Sequence, residues 1–220
     1  MSYRMNKEIE YLKRVFLSVS TLVEENVAIA FDSFVTMNPE KARLAIQNDA
    51  DINREEMDVE EECLKILALH QPVASELRYI VSVLKINSTL ERIGDLAVSV
   101  AKKSQWVMDA PPPLASWDIA FQPMMDGVRL MLKNSLDSLI NVDVGLAREV
   151  CRMDDDIDEQ KQVAHRRLVQ LLTESKADVG VILHVMSIIR HVERMADHAA
   201  HIAQVVIYLG EGAIIRHQRI

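Results

Sequence analysis

Apolar residues recur at intervals of three and four along most of the chain, and this spacing predicts α-helices. In 7–37, for example, Leu12, Phe16 and Val19 follow one another at these intervals. Five further stretches show the same spacing: 40–70, 73–107, 117–141, 145–173 and 177–209. No segment alternates apolar and polar residues with a period of two, so the sequence predicts no β-sheet.

Prolines mark the boundaries between the predicted helices. Pro39 and Pro72 suit the first turn of a helix, where the backbone needs no amide donor. Three consecutive prolines in APPPLAS, at 110–116, cannot continue a helix and therefore predict a linker. This linker divides the chain into a first unit, 1–109, and a second unit, 114–212.

The second unit repeats the first. Asp49 aligns with Asp154, and ERIGDLA at 91–97 aligns with ERMADHA at 193–199. Each unit carries three amphipathic helices, and three such helices with short connections can enclose one core. The sequence therefore predicts an all-α fold of two repeated three-helix bundles joined by a proline-rich linker.

Composition narrows the class of protein. Apolar residues make up 49% of the 220 positions but aromatic residues only 5%, so the cores must consist mainly of aliphatic side chains. The net charge of −8 argues against a general nucleic-acid binder, which needs a basic surface. Cys63 and Cys151 form no CxxC motif, and neither a secretory signal nor an apolar run long enough to cross a membrane is present. We expect a protein of the reducing cytoplasm.

Acidic residues are paired at i and i+4 on the second and third predicted helix of each unit. Side chains at this spacing point only about 40° apart, so each pair lies on one helix face. The pairs are Asp49 with Asn53, Glu91 with Asp95, Asp154 with Asp158, and Glu193 with Asp197. Glu56 and Glu60 extend the first face, and their counterparts in the second unit are Lys161 and His165.

Antiparallel packing would bring the pairs of neighbouring helices side by side. Clustered carboxylate oxygens suit magnesium, manganese or iron, and zinc is also compatible. An isolated ExxxD pair on a helix is ordinarily solvated surface, so the spacing alone leaves a metal site and a charged surface both open. His165 lies on the same line as Asp154 and Asp158, whereas His184, His191 and His198 lie across the apolar stripe from the acids.

Known catalytic motifs do not occur in the sequence. No Glu is followed three residues later by His, as di-iron oxidases require, and the common nucleotide-binding and hydrolase motifs are missing. We therefore expect a non-enzymatic protein. Two alternatives remain: a metal-dependent enzyme or metal store that uses the carboxylates, and a helical scaffold whose acids are only solvated.

Five phrases resemble the PhoU family of bacterial phosphate-signalling regulators: NDADIN, HQPVASELR, LERIGDLA, MDDDID and VERMADHA. The resemblance runs from about residue 7 to 209. It implies two similar three-helix bundles whose surface E(D)xxxD motifs hold metal, in some members as iron or zinc clusters. The implied metal ligands here are Asp49, Asn53, Glu56, Glu60, Glu91, Asp95, Asp154, Asp158, Glu193 and Asp197. Asn53 lacks a charge, which predicts weaker binding in the first unit.

The resemblance also implies a function. Members of this family repress phosphate uptake and phosphate-regulon signalling when phosphate is ample. They act in the cytoplasm at the inner face of the membrane, between a phosphate ABC transporter and a sensor histidine kinase, and they are often homodimers. HQPVASELR has no counterpart in the second unit, so the two halves could contact different partners.

Overall fold

Seven helices account for nearly all of the chain that a computed structural model describes, namely residues 3–109, 114, 117–174 and 178–212. They are α1 (Tyr3–Val35), α2 (Pro39–Gln47), α3 (Asp49–His70), α4 (Ala74–Asp109), α5 (Phe121–Asn141), α6 (Val144–Thr173) and α7 (Val179–Glu211). No strand occurs among these residues. The all-α prediction is confirmed, while most of the predicted linker at 110–116 lies outside the described residues.

The helices form two bundles that share one long seam. In the first bundle α1, α3 and α4 pack around a core together with the short α2, and in the second bundle α5, α6 and α7 do the same. α4 of the first bundle packs along α7 of the second, and α1 also contacts α5. The predicted repeat of three-helix bundles is thereby confirmed. Where one domain ends and the next begins stays a prediction.

The core is aliphatic, as the composition predicts, with aromatic residues at the joint between the bundles. The rings of Phe34, at the end of α1, and Phe121, at the start of α5, meet edge to face with 5.2 Å between their centroids. Trp117 is almost fully buried nearby, and its carbonyl accepts a 2.8 Å hydrogen bond from Arg167 of α6. The Phe34–Phe121 contact joins the two bundles, and the Trp117–Arg167 bond fixes the segment before α5 within the second.

Polar side chains fix several helix ends. Asn38 caps α2 by accepting hydrogen bonds from the amides of Glu40 and Lys41, with Pro39 at the first helical position as predicted. Pro72 differs from the prediction, because α3 ends in the left-handed residue Gln71 and α4 begins only at Ala74. Pro72 thus follows a helix end, where a helix cannot continue through proline.

The predicted single helix 40–70 is wrong, because the structure breaks it at Asn48. The buried side chain of Asn26, on α1, donates a hydrogen bond of 3.1 Å to the carbonyl of Ala45 and accepts one of 3.2 Å from the side chain of Asn48. A side chain inserted into the helical hydrogen-bond ladder is a common cause of a kink. Asn26 therefore explains why α2 and α3 are separate helices.

Replacing Asn26 by alanine is expected to lower the free energy of unfolding by about 1–3 kcal/mol, because the buried carbonyl of Ala45 loses its partner. Urea denaturation followed by circular dichroism measures this change. Thr21→Ala serves as the control, since Thr21 is exposed and bonds only within its own helix. Equal stability of the two variants would contradict this account of the break.

None of the described helices combines the length and the apolarity that crossing a membrane requires.

Candidate metal centre

Six of the predicted metal-ligating residues lie together across α3 and α4; we call them the first acidic cluster. They are Asp49, Asn53, Glu56 and Glu60 on α3, and Glu91 and Asp95 on α4. The two helices run antiparallel, so Asp49 interacts electrostatically with Asp95, and Glu56 with Glu91. The packing that fixes this register includes Ile52, whose side chain lies over the space that Gly94 leaves open.

Charge repulsion in the first acidic cluster is only partly compensated, because Lys102 acts on Asp49 and Arg92 on Glu91 without forming an ion pair with either carboxylate among the described residues. Burial raises the pKa of Asp49, Glu56 and Glu91, and neighbouring carboxylates raise each of them further. The neighbour is Asp95 for Asp49 and for Glu91, and Glu60 for Glu56. Each of these carboxylates would gain from a cation nearby.

Two asparagine side chains orient carboxylates of the first acidic cluster. Asn53 donates a long hydrogen bond of 3.5 Å to one oxygen of Asp49. The other oxygen, Asp49 Oδ1, is buried and has no hydrogen-bond partner within the described part of the chain. The side-chain amide of Asn87 donates two hydrogen bonds to Glu56. One goes to the carboxylate oxygen Oε1 at 2.8 Å and the other to the backbone carbonyl at 2.9 Å. The unpartnered oxygen and the surrounding carboxylates fit a hard cation.

The second acidic cluster consists of Asp154 and Asp158 on α6 with Glu193 and Asp197 on α7. Burial and the charges of Asp197 and Asp158 raise the pKa of Asp154 to about 6. Burial also raises the pKa of Asp197, followed by the charges of Glu193 and Asp158. The four acids predicted for the second unit therefore do lie in one electrostatic cluster.

Lys161 supplies the second acidic cluster with a cation of its own. Its ammonium group donates a short hydrogen bond to Glu193 and lies 3.8 Å from Asp158 Oδ1. Its counterpart in the first unit is Glu56, an acid. The two clusters thus occupy equivalent positions but differ in charge, since, within the described chain, only the second contains a cation in direct contact with its carboxylates.

Two of the histidines predicted to lie across the apolar stripe from the acids, His184 and His191, contact side chains outside both acidic clusters. His165 is exposed on α6. On the other side of α7, His184 stacks on Trp106 with 5.7 Å between centroids, and His191 shares a 3.3 Å hydrogen bond with Ser187. Histidine therefore serves packing at the α4–α7 seam, in agreement with its predicted place across the apolar stripe.

The carboxylates lie near one another but do not form a complete coordination site within the described residues. Among the described residues, no group of three or more His, Cys, Asp or Glu side chains already has the arrangement to hold a metal ion. Whether these ten residues bind metal thus stays a prediction. Sequence reasoning missed the partners that shape the clusters, Asn87 at Glu56 and the pairing of Lys161 with Glu193. Asn87 precedes Glu91 by one helical turn, and that spacing was the available signal.

The raised pKa of Asp154 predicts a pH dependence of the metal-free protein. A carboxyl group whose pKa is higher in the folded chain than its ordinary 3.8 binds its proton more tightly when folded. Its stabilising contribution is complete below about pH 4 and is lost as the pH rises through about 6. Over this window Asp154 should lower the free energy of unfolding by about 2–3 kcal/mol.

Urea denaturation in EDTA between about pH 4 and pH 7 tests this dependence. Asp154→Asn should flatten the curve and be more stable than wild type at neutral pH. Asp156→Asn, at an exposed position of the same helix, should keep the wild-type curve. If Asp154→Asn kept the pH dependence of the wild-type protein, the carboxyl group of Asp154 would not be its cause.

Comparison with known proteins assigns both bundles to one family. The PhoU domain family model matches twice, over residues 16–104 and 121–206. A phosphate-specific transport system accessory protein PhoU homolog of Aquifex aeolicus is 35% identical over 99% of this chain and 97% of its own. A homolog with the same description from Pseudomonas putida is 34% identical over 99% of this chain and 84% of its own. The crystal structure of PhoU from Pseudomonas aeruginosa superposes with a TM-score of 0.89 at 32% identity, covering 94% of this chain and 99% of that one.

Proposed function

Because this chain belongs to the PhoU family, we propose that it is a negative regulator of phosphate uptake and phosphate-regulon signalling. In this role it is a helical adaptor between a phosphate ABC transporter and a sensor histidine kinase. The observation that carries the proposal is the match of a PhoU domain to each bundle. The relatives are accessory proteins of phosphate-specific transport systems, and this description favours an adaptor over a metal-dependent enzyme or a metal store.

An exposed apolar turn in the first bundle supports partner binding. The turn between α3 and α4 presents Leu69, Val73 and Leu77, which are 59%, 69% and 40% exposed. Exposed apolar residues that lie together on a protein surface mark interaction sites. This turn carries the HQPVASELR phrase, which the second bundle lacks, so the first bundle offers a contact that the second does not.

Metal binding is the second part of the proposal. The first acidic cluster is the stronger candidate, in contrast to the expectation from the uncharged Asn53, because it holds an unpartnered buried oxygen of Asp49 and carboxylates that repel one another. The second acidic cluster must give up the Lys161 contact with Glu193 before that carboxylate can bind an ion. A bound cation would neutralise the carboxylates and tie neighbouring helices together. Iron, zinc, manganese or magnesium satisfies this role.

The protein reaches the membrane through its partners in this account. Its place is the cytoplasmic face of the transporter, and its proposed form is a homodimer that presents two copies of each bundle. Each protomer of such a dimer would present the same apolar turn.

Affinity purification from membranes of phosphate-replete cells tests the adaptor proposal. The wild-type chain should recover transporter subunits together with a histidine kinase. The variant Leu69→Glu/Val73→Glu should recover less of at least one of them, because both charges fall on the exposed apolar turn. Val179→Glu/Leu183→Glu places the same charges at exposed positions of α7 and should behave as wild type. Recovery of neither a transporter subunit nor a kinase by the wild-type chain would contradict the proposal.

A further inference from the structure

A groove with a volume of about 610 Å³ follows the seam between α4 and α7, on the line where the two bundles meet. α4 contributes Leu84, Lys85, Ser88, Thr89 and Arg92, and α7 contributes His198 and His201. Apart from Leu84, every one of these side chains carries a nitrogen or a hydroxyl group that can form a hydrogen bond. No carboxylate of the described residues lines the groove. In a chain with a net charge of −8, the groove is a local reversal of charge.

The cations of the groove form no ion pair within the described residues, although Arg92 also acts at longer range on Glu91. Within the described part of the chain, neither Lys85 nor Arg92 lies within 4.0 Å of a carboxylate oxygen. Arg194 adds to the positive potential, since it and Arg92 both act on the His198 ring. The partly buried ring of His198 adds nitrogen atoms that can form hydrogen bonds. The groove therefore combines positive charge with further hydrogen-bonding groups.

The spacing of the groups favours a small ligand. Lys85, Ser88 and Arg92 follow one another by three and four residues, so they form a single stripe on α4. Lys85 and Arg92 are separated by seven residues, which is about 10 Å along a helix. The volume is in the range of small-molecule sites, roughly 300–1,000 Å³, and is too small for a docked helix of several turns. Tetrahedral oxyanions are commonly bound by lysine and arginine side chains together with hydroxyl groups.

We propose that the groove between α4 and α7 binds a phosphate-type oxyanion, either free orthophosphate or a short condensed polyphosphate. The ligand contacts Lys85, Ser88 and Arg92 on one bundle and His198 on the other. A ligand held by both bundles stabilises their present packing along the seam. This inference uses none of the carboxylates of the acidic clusters, although Arg92 also acts on Glu91, and it does not depend on the proposed adaptor function.

Isothermal titration calorimetry of the full chain in EDTA tests the proposal, with orthophosphate and tripolyphosphate as separate titrants. Chelation ensures that an ion held by the acidic clusters does not bridge to the anion. The test variant is Lys85→Gln/Arg92→Gln. The matched control is Lys13→Gln/Arg54→Gln, which removes the same two charges from exposed positions of the first bundle that lie outside the groove.

Saturable binding of one titrant by the wild-type chain is the expected result, and the tighter titrant identifies the source of the oxyanion. The affinity of the test variant should fall by about tenfold or more, because the variant loses two charged hydrogen-bond donors. The control should keep wild-type affinity, and the His198 ring signals in a proton–carbon spectrum should move only when binding occurs. Absence of saturable binding of both titrants, or equal affinity in the two double variants, would overturn the proposal.

Discussion

Addition of Mn²⁺ to the metal-free protein is expected to raise its melting temperature by about 5–10 °C when the free ion is about one hundred times its dissociation constant. The reason is linkage, since an ion held between α3 and α4 binds the folded chain and not the unfolded one. The same ion relieves the repulsion that raises the pKa of Asp49, Glu56 and Glu91. Differential scanning calorimetry with and without the ion measures the effect.

A pair of matched variants locates the ion. Glu91→Gln/Asp95→Asn should lose most of the metal-dependent increase, and its metal-free melting temperature should rise because two repelling charges are gone. Glu193→Gln/Asp197→Asn removes the equivalent carboxylates of the second bundle and should keep most of the increase, because Lys161 already compensates that cluster. Equal loss in both variants would contradict the preference for the first acidic cluster. No increase in the wild-type chain would contradict metal binding.

Phe34→Ala is expected to lower the free energy of unfolding by about 3–5 kcal/mol. Phe34 is fully buried, and its ring packs edge to face against Phe121, so truncation removes apolar contact and an aromatic pair at the joint of the two bundles. A matching decrease in melting temperature of roughly 2–4 °C per kcal/mol should accompany the change. Urea denaturation of the metal-free protein measures it.

Leu69→Ala is the control for this variant, because Leu69 is largely exposed and its truncation should change stability by about 0.5 kcal/mol or less. A decrease below about 1 kcal/mol for Phe34→Ala would show that the ring is not a principal contact of the core. A large decrease at Leu69 would show that the apolar turn is covered in solution, which is informative about the proposed partner surface.

Local spacing predicted the helices because each helix carries its own signal. Recurrence at three and four residues is a property of neighbouring positions, and the cap and proline residues lie at the helix ends they fix. The break at Asn48 was not predictable in this way, because Asn26 causes it from 22 residues away. A side chain that interrupts a distant helix leaves no trace in the periodicity of that helix.

The acidic clusters were predictable in part for the same reason. Spacing and repetition placed the carboxylates on one face of each helix, and the structure brings the faces of α3 and α4, and of α6 and α7, together. Lys161 was recognised as the counterpart of Glu56, but its bond to Glu193 depends on how α6 and α7 are aligned. The groove depends on contacts between more distant parts of the chain, since Arg92 and His198 come together only when the two bundles pack against each other. Such relations belong to tertiary structure.

The measurement that tests the central claim most directly is a reporter assay in a bacterium that lacks its own PhoU protein. If the proposed function is right, this host should express the phosphate-starvation reporter continuously in phosphate-rich medium. This chain is expected to restore repression in phosphate-rich medium and to permit expression when phosphate is withdrawn. A reporter that stays on in phosphate-rich medium, while the protein accumulates in folded form, would contradict a role in phosphate signalling.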